Sequence, residues 1–465
     1  MRAQSRTCLT MIFTLLAATP LIAQEERAVA SRDTGNATTE TTATEDTPPT
    51  VSLARSIDIQ HIRPQDQRGI NIFETPKEPG AAFRGFRLDF GAAFAQQFQS
   101  LSHSNTATPK PTTSGTTTFN ANELMDIGTG FNNATANLYL NAQLAPGIRV
   151  ALATYLSSRH HNETWVKDGY ILIDASPVKV KALEDMMKYV TLRIGHFEIN
   201  YGDAHFRRSD NGNAIYNPFV GNLIMDAFTT QIGGEVYVRS RGFMAMAGVT
   251  GGEIRGNVTR PEERSPAYIA KLGYDRQVTN DLRVRLTGST YQQKKAINNT
   301  LYAGDRAGSR YYWVLENTQA TESANFSSGL INPNLRSKVQ AYMINPFAKY
   351  RGFEVFGTIE QARGRAATET ETREWNQYAV DVVQRFLPRE QLFVGGRYNT
   401  AEGELAGMPG KPSVDRVQLS AGWFITPSVL MKGEWVKQDY NGFPTTDIRN
   451  GGKFDGFMLE AVVAF

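Results

Sequence analysis

The amino-acid sequence predicts an all-β fold: a transmembrane antiparallel β-barrel of about 16 strands (14–18). Apolar and polar residues alternate along most of the chain, and the alternating segments reach roughly ten to fifteen residues. Strands of soluble domains usually run about five or six residues, whereas a tilted strand that crosses a bilayer needs roughly nine to eleven. Short turns also alternate with long polar loops, an asymmetry that a soluble β-sandwich has no reason to keep.

Composition agrees with this class and excludes several others. The chain has 465 residues, of which 41% are hydrophobic and 20% charged. Its mean hydropathy of −0.37 excludes a bundle of membrane-spanning helices. The net charge of +3 is too mild to predict a nucleic-acid partner. The one cysteine, Cys8, excludes a disulfide framework and a cysteine-based metal site.

The chain divides into four predicted parts. Residues 1–23 have the charges, apolar run and small residues of a signal peptide. Residues 24–55 are rich in Thr, Ala, Glu and Asp and predict a disordered periplasmic tail. In residues 56–82, isoleucines stand among prolines, and this segment either covers the periplasmic mouth or enters the lumen. Residues 83–465 form the barrel. Residues 24–82 are too few and too polar for the folded plug of a transporter.

Sixteen strands follow from the alternation and the turns. They are predicted at 83–98, 131–145, 147–157, 165–174, 189–199, 224–238, 243–252, 266–278, 282–293, 336–350, 353–363, 374–387, 391–400, 413–426, 429–440 and 454–465. An even number returns both ends of the sheet to the periplasm, so the short turns are periplasmic and the long loops extracellular. Residues 177–188 have helical spacing and predict a small periplasmic helix, with a docking site for a periplasmic partner as the alternative.

The end of the chain alternates strictly. Its apolar face is formed by Phe457, Leu459, Ala461, Val463 and Phe465. This pattern resembles the terminal signal by which outer-membrane proteins engage the barrel assembly machinery, which binds a last strand by edge pairing. We therefore expect that machinery as a partner during biogenesis, outer-membrane lipid as the surroundings, and the outer membrane of a Gram-negative-type bacterium as the location.

A barrel of this strand number is expected to hold a water-filled lumen whose inward side chains set selectivity. The face opposite the apolar set includes the basic residues Arg193, Lys271, Arg283 and Arg285, in slight excess over acidic residues on the same face. Arg283 and Arg285 stand two residues apart and form a local basic ladder. An anion path and a solvated face that balances nearby acids are both open interpretations.

The loop at 200–222 combines charges with aromatic residues, a composition typical of ordered loops. We expect it to fold inward and form the pore constriction, with two arginines facing two aspartates across it. The constriction residues are Asp203, Arg207, Arg208, Asp210 and Tyr216. The alternative is an ordered surface loop packed on its neighbours.

Three short motifs carry a family resemblance. Val166–Tyr170 reads Val-Lys-Asp-Gly-Tyr, Leu192–Phe197 reads Leu-Arg-Ile-Gly-His-Phe, and Tyr201-Gly202 follows. Together these motifs resemble the phosphate-selective porin family over about forty residues, with Gly169 at the family's usual alanine position and extra chain at 175–188. The resemblance implies a sixteen-stranded porin and phosphate or another anion as the solute.

Chemistry at a catalytic or metal site is not expected. The sequence has no Gly-x-Ser-x-Gly motif and no nucleotide-binding fingerprint. The adjacent His160 and His161 point to opposite sides of an extended chain and cannot easily share a metal ion. We therefore expect no enzyme, no cofactor and no metal, but a channel for passive diffusion of small hydrophilic solutes. A structural or adhesive barrel whose loops bind partners, and an outer-membrane barrel enzyme, are the alternatives; a homotrimer suits the architecture.

Overall fold

The computed structural model describes residues 62–75, 83, 85–160, 163–255, 258–305, 308–322 and 324–465. These residues belong to one compact unit, Ser52–Phe465. The predicted signal peptide (1–23) and tail (24–55) lie outside the described residues, as do parts of the 56–82 segment.

Sixteen long strands form one sheet that closes on itself. They are β1 (Arg87–Ser104), β2 (Thr135–Ala145), β3 (Ile148–Ser157), β4 (Trp165–Ile173), β5 (Val190–Glu198), β6 (Thr230–Ser240), β7 (Phe243–Thr250), β8 (Ala267–Gln277), β9 (Leu282–Gln293), β10 (Lys338–Tyr350), β11 (Phe353–Arg365), β12 (Arg373–Phe386), β13 (Leu392–Gly403), β14 (Ser413–Thr426), β15 (Val429–Asn441) and β16 (Lys453–Ala464). Each strand pairs antiparallel with its chain neighbours, and β16 pairs with β1. The predicted closed barrel of sixteen strands is confirmed.

The closure removes the free edges of the sheet. Strand β1 pairs with β16 through Ala93 opposite Ala464, and with β2 through Arg87 opposite Gln143. A long apolar terminal strand would otherwise offer an unpaired edge to other chains. In the closed barrel its backbone groups are bonded on both sides.

The two faces of the wall differ in chemistry. Leu272, Leu286 and Leu419 point outward and are each more than half exposed. Their sequence neighbours Lys271 and Arg285 point inward and are buried. An apolar outer belt around a polar interior is the arrangement of bacterial outer-membrane barrels. The chain is therefore an outer-membrane protein.

The connections are unequal at the two ends of the barrel. The end with the chain's short turns, here the turn end, has connections at 146–147, 241–242, 278–281, 351–352, 387–391 and 427–428, together with the longer 174–189. The other end, here the loop end, has connections at 105–134, 158–164, 199–229, 251–266, 294–337, 366–372, 404–412 and 442–452. The loop at 105–134 contains a small hairpin of Pro111–Ser114 and Thr117–Asn120.

The connection at 174–189 contains one helix, α1 (Lys181–Met187). It lies within the predicted helical stretch of 177–188 and covers only its second half. Among the described residues, no helix has the length and apolarity needed to cross a membrane.

Three strands, β1, β2 and β6, have a boundary that differs from the prediction by four residues or more, and β2 begins at Thr135 rather than 131. Strand β1 begins at Arg87 rather than 83 and runs six residues beyond 98. Strand β6 begins at Thr230 rather than 224, because side chains of the wall take the backbone N–H groups there. The Ile224 N–H donates to Asn399 at 2.7 Å, and the Met225 N–H donates to Gln377 at 2.8 Å.

A charge on the outward face should destabilise the barrel. We expect Leu419→Arg, near the middle of β14, to lower the free energy of unfolding by about 2–4 kcal/mol, because the guanidinium would face lipid. Val278→Arg is the matched control, since Val278 is also exposed but lies in a turn, where the cost is about 0–1 kcal/mol. Urea unfolding in lipid vesicles measures both. Equal losses for the two variants would contradict a lipid-facing Leu419.

Candidate solute path in the barrel lumen

The connection at 199–229, here the inner loop, folds into the barrel interior. Asp203, Phe219 and Ile224 on this loop are completely buried. The inward-facing Lys432 fixes the loop to the wall, because its Nζ donates to the carbonyl oxygens of Ala214, Asn217 and Phe219. These three distances are 3.0, 2.8 and 2.8 Å.

At the level of the inner loop the lumen is packed. Tyr201 and Ile224 of the loop join a buried hydrophobic cluster with the wall side chains Tyr291 and Val436. The loop at 294–337 adds further side chains to the same cluster, among them Leu301, Tyr311 and Ile331. The predicted water-filled lumen is wrong at this level, because the apolar side chains of two loops occupy the space.

Asp203 lies at the centre of an ionic cluster. Its carboxylate is 2.6 Å from Lys271 Nζ and 2.8 Å from Arg285 Nε, and it accepts a hydrogen bond from Thr287 Oγ1 at 2.8 Å. Burial alone would raise the pKa of Asp203, but the charges of Lys271 and Arg285 lower it below its usual range. The Asp203 carboxylate therefore stays ionised beside Lys271 and Arg285, two of the basic residues that were predicted to face the lumen.

The two arginines of the loop bind acids of different elements. Arg207 lies 3.4 Å from Glu354 of β11 and over the ring of Phe356. Arg208 Nε donates to Asp226 Oδ1 at 2.8 Å. Arg208 also lies 3.5 Å from Asp210.

The predicted pairing of arginines with aspartates across the loop is therefore found in one instance. Arg208 contacts Asp210, but Asp203 pairs with cations of the wall and Arg207 with a wall carboxylate. The reason is geometric: the inner loop packs against the strands, so Asp203 and Arg207 reach partners on the wall, whereas Arg208 pairs with Asp226 and Asp210 of the loop itself.

Asp210 connects the inner loop to the Val166–Tyr170 motif on strand β4. It pairs with Lys167 Nζ and accepts a hydrogen bond from Tyr155. Lys167 also lies 2.9 Å from Glu198, which in turn lies 3.1 Å from His205. Burial raises the pKa of Asp210 and lowers that of His205. The lysine of the Val166–Tyr170 motif thus holds the inner loop.

Tyr216 faces the chain that precedes the barrel. The Arg63 guanidinium lies 3.5 Å above its ring, and the Tyr216 hydroxyl donates to the carbonyl of Pro64. Burial raises the pKa of Tyr216 to about 12, so its hydroxyl remains a donor.

The remaining predicted lumen cations, Arg193 and Arg283, are also paired. Arg193 Nε donates to Glu235 at 2.9 Å, and Arg283 Nε donates to Asp275 at 2.8 Å. Asp275 also accepts from Arg285 Nη1 at 3.1 Å, so the two rungs of the basic ladder share one carboxylate.

Two cavities open beside these charges. One of about 240 Å³ lies inside the barrel against the inner loop, and one of about 1240 Å³ lies at the turn end. Both are lined by Phe73, Glu74 and Arg239, so they adjoin. The smaller cavity has five basic side chains, Arg63, Lys167, Arg193, Arg208 and Arg239, and four acidic ones, Glu74, Asp168, Glu198 and Asp210.

The terminal residues lie on the outside of the last strand. Phe457, Leu459 and Phe465 are exposed on the outward face, with Ala461 and Val463 half-buried between them. Phe465 exchanges two backbone hydrogen bonds of 2.9 Å with Ala92 of β1. This pairing extends the closure of the barrel to the last residue of the chain.

Among the side chains that the structure describes, no group of three or more His, Cys, Asp or Glu residues could hold a metal ion. His161, one of the adjacent histidines considered from the sequence, lies outside the described residues.

Several residues that bind the inner loop or its neighbours were not predicted from the sequence to do so. Glu354, Asp226 and Glu434 bind the inner loop or its neighbours, and Glu434 accepts from the Val220 N–H at 2.8 Å and from the Tyr311 hydroxyl at 2.7 Å. Tyr311 stands in a loop rich in aromatic residues, and that composition was the available signal for a second loop packed inside the barrel.

The fold and the lumen define the class: a sixteen-stranded outer-membrane barrel with a loop folded inside it, the architecture to which porins belong. No protein-family model matches the chain, and no curated protein matches it.

Among solved structures, the anion-selective porin from Comamonas acidovorans has a TM-score of 0.48 at 11% identity, over 82% of this chain and 100% of that one. OprB of Pseudomonas putida has a TM-score of 0.48 at 11% identity, over 81% and 94%. The trimer form of in-vitro folded OmpT, an outer membrane protein of Vibrio cholerae, has a TM-score of 0.47 at 10% identity, over 82% and 100%. The likeness is confined to architecture.

Proposed function

We propose that the protein is an outer-membrane channel through which small hydrophilic solutes diffuse passively. The observation that carries this proposal is the 240 Å³ cavity inside the barrel, which has charged walls and adjoins the larger cavity at the turn end. A barrel that serves only as a scaffold needs no polar space at its centre. We further propose that the turn end faces the periplasm, as in other bacterial barrels.

We propose a mild preference for anions, phosphate included. Five basic and four acidic side chains line the inner cavity, an excess of one positive charge. Pairing reduces the field of each cation but leaves that excess. The sequence resemblance to phosphate-selective porins supports the same sign.

We also propose that the inner loop is the constriction, formed around Asp203, Arg207, Arg208, Asp210 and Tyr216. Their burial inside the barrel supports this role. The exposed face of Phe457, Leu459, Ala461, Val463 and Phe465 supports recognition of the last strand by the barrel assembly machinery.

Liposome swelling tests the proposed function. We expect vesicles that contain the purified protein to admit glycine, a monosaccharide and phosphate faster than protein-free vesicles, because the proposed route for small polar solutes runs through the charged cavity inside the barrel. Vesicles with the same protein heat-unfolded before reconstitution are the control. A channel would be contradicted if vesicles with folded protein, vesicles with heat-unfolded protein and protein-free vesicles all swelled at the same rate, and if an applied potential did not speed solute entry.

A further inference from the structure

Residues 62–75, here the lumen segment, lie inside the barrel and reach from the turn end to the inner loop. At the turn end, the Gln67 N–H donates to the carbonyl of Pro427 at 2.9 Å, and Gln67 Nε2 donates to the carbonyl of Arg389 at 2.8 Å. At the other side, Arg63 Nη2 donates to the carbonyl of Phe206 on the inner loop at 3.0 Å. The segment thus connects the rim of the barrel to the candidate constriction.

An aromatic contact fixes the second half of the lumen segment. Phe73 is buried, and its ring centroid lies 5.8 Å from that of Phe206 on the inner loop and 5.3 Å from that of Phe347 on the wall. Both pairs are edge-to-face, the arrangement that aromatic rings prefer. Phe73 therefore fills the space between the loop and strand β10.

Glu74 adds an ionic contact at the same point. Its carboxylate lies 2.8 Å from Lys271 Nζ and 2.6 Å from Arg285 Nη2, and it accepts from Asn200 Nδ2 at 2.9 Å. Lys271 and Arg285 are the cations that also bind Asp203. Burial alone would raise the pKa of Glu74, but these two cations lower it well below its usual range. The lumen segment and the inner loop therefore share one pair of wall cations.

The fit around Gly69 leaves no space for a side chain. A Cβ added at this position would lie 2.6 Å from Cε1 of Tyr216 and would overlap the carbonyl oxygen of Pro64. The lumen segment is also not a strand of the sheet, so that no ladder of backbone hydrogen bonds would break if it moved.

We propose that the lumen segment is a plug, which closes the solute path at the inner loop in the resting state and withdraws toward the turn end when solute passes. This inference rests on the proposed channel function and deepens it. The segment forms no strand pairing with the wall, so its withdrawal breaks the Gln67–Pro427 hydrogen bond, the ion pairs of Glu74 and the aromatic contacts of Phe73, but no strand ladder of the barrel.

Gly69→Ala tests the plug. The added methyl group collides with Tyr216 and Pro64, and overpacking of this kind is expected to raise the fraction of time that single channels are open by about tenfold. Gly288→Ala is the matched control, because Gly288 lies in the wall with open space around its Cβ. Single-channel recording in planar bilayers measures both. An open fraction for Gly69→Ala equal to that of wild type and of Gly288→Ala would overturn the plug.

A cross-link gives the second test. The Gln67 N–H donates to the carbonyl of Pro427 at 2.9 Å, so the two backbones are in contact at a point where a disulfide can be tested. In the double variant Gln67→Cys and Pro427→Cys, we expect a disulfide to form on oxidation, the current to fall at least about tenfold, and a reductant to restore it. Gln67→Cys alone is the control. Failure to cross-link, or equal currents in both redox states of a conducting protein, would overturn the plug.

The two tests separate the plug from the channel. If the cross-link forms but wild type, Gly69→Ala and the reduced double variant all fail to conduct, the channel function is contradicted and the plug with it. The position of the lumen segment stands in that case. If wild type conducts and neither the cross-link nor Gly69→Ala changes the current, the channel stands and the plug is overturned.

Discussion

Lys432→Met is expected to detach the inner loop from the barrel wall and to lower the free energy of unfolding by about 3–5 kcal/mol. Lys432 Nζ lies 2.7 Å from the buried Glu460 and donates to three carbonyls of the loop. Methionine fills a similar volume but offers no charge and no donor. Glu460 would then be a buried carboxylate without its cation, and the loop would lose its attachment.

Two further variants isolate the cause. Lys437→Met alters the same strand, but Lys437 is about half exposed and pairs with Asp439 at the surface, so the change should cost at most about 1 kcal/mol. The double variant Lys432→Met with Glu460→Gln removes both charges and should recover part of the stability. Urea unfolding in vesicles measures all three. A loss as large for Lys437→Met as for Lys432→Met would contradict the role given to Lys432.

The second large effect concerns ion preference. Arg207→Ala combined with Arg208→Ala removes two positive charges and leaves Glu354 and Asp226, their carboxylate partners, in the lumen. An ion about 8 Å from a charge feels about 2 kcal/mol at an effective dielectric constant of about 20, before screening by salt. We therefore expect the permeability ratio of cations to anions to rise by about tenfold.

The reversal potential in asymmetric potassium chloride reports this ratio. Arg351→Ala with Arg363→Ala is the matched control, because it also removes two positive charges, but from exposed positions. The control should keep the wild-type reversal potential. A reversal potential unchanged by the Arg207 and Arg208 substitutions would mean that the inner loop lies outside the conduction path.

The barrel could be predicted because the alternating pattern that defines each strand lies within a short stretch of sequence. Lipid on one face and protein or water on the other impose a period of two on every strand, so that most strand boundaries fall within a few residues of the prediction. Strand β6 is the clearest exception. Its predicted first residues, 224–229, are not part of the strand, and wall side chains from β13 and β12 accept the N–H groups of Ile224 and Met225.

The lumen was less predictable because its contacts are distant in sequence. The charges of the inner loop could be identified from composition, but Arg207 meets Glu354, which lies 147 residues further along the chain. Likewise, nothing in residues 62–75 shows that Phe73 packs on Phe347 or that Glu74 binds Lys271. Such pairs depend on which strands face each other across a closed barrel, and no local pattern encodes that.

Single-channel recording of the purified protein in a planar bilayer, with asymmetric potassium chloride, tests the central claim most directly. A channel with one excess positive charge along its inner cavity predicts discrete current steps and a reversal potential on the anion-selective side. The absence of any protein-dependent current, from folded wild type and from Gly69→Ala alike, would contradict it.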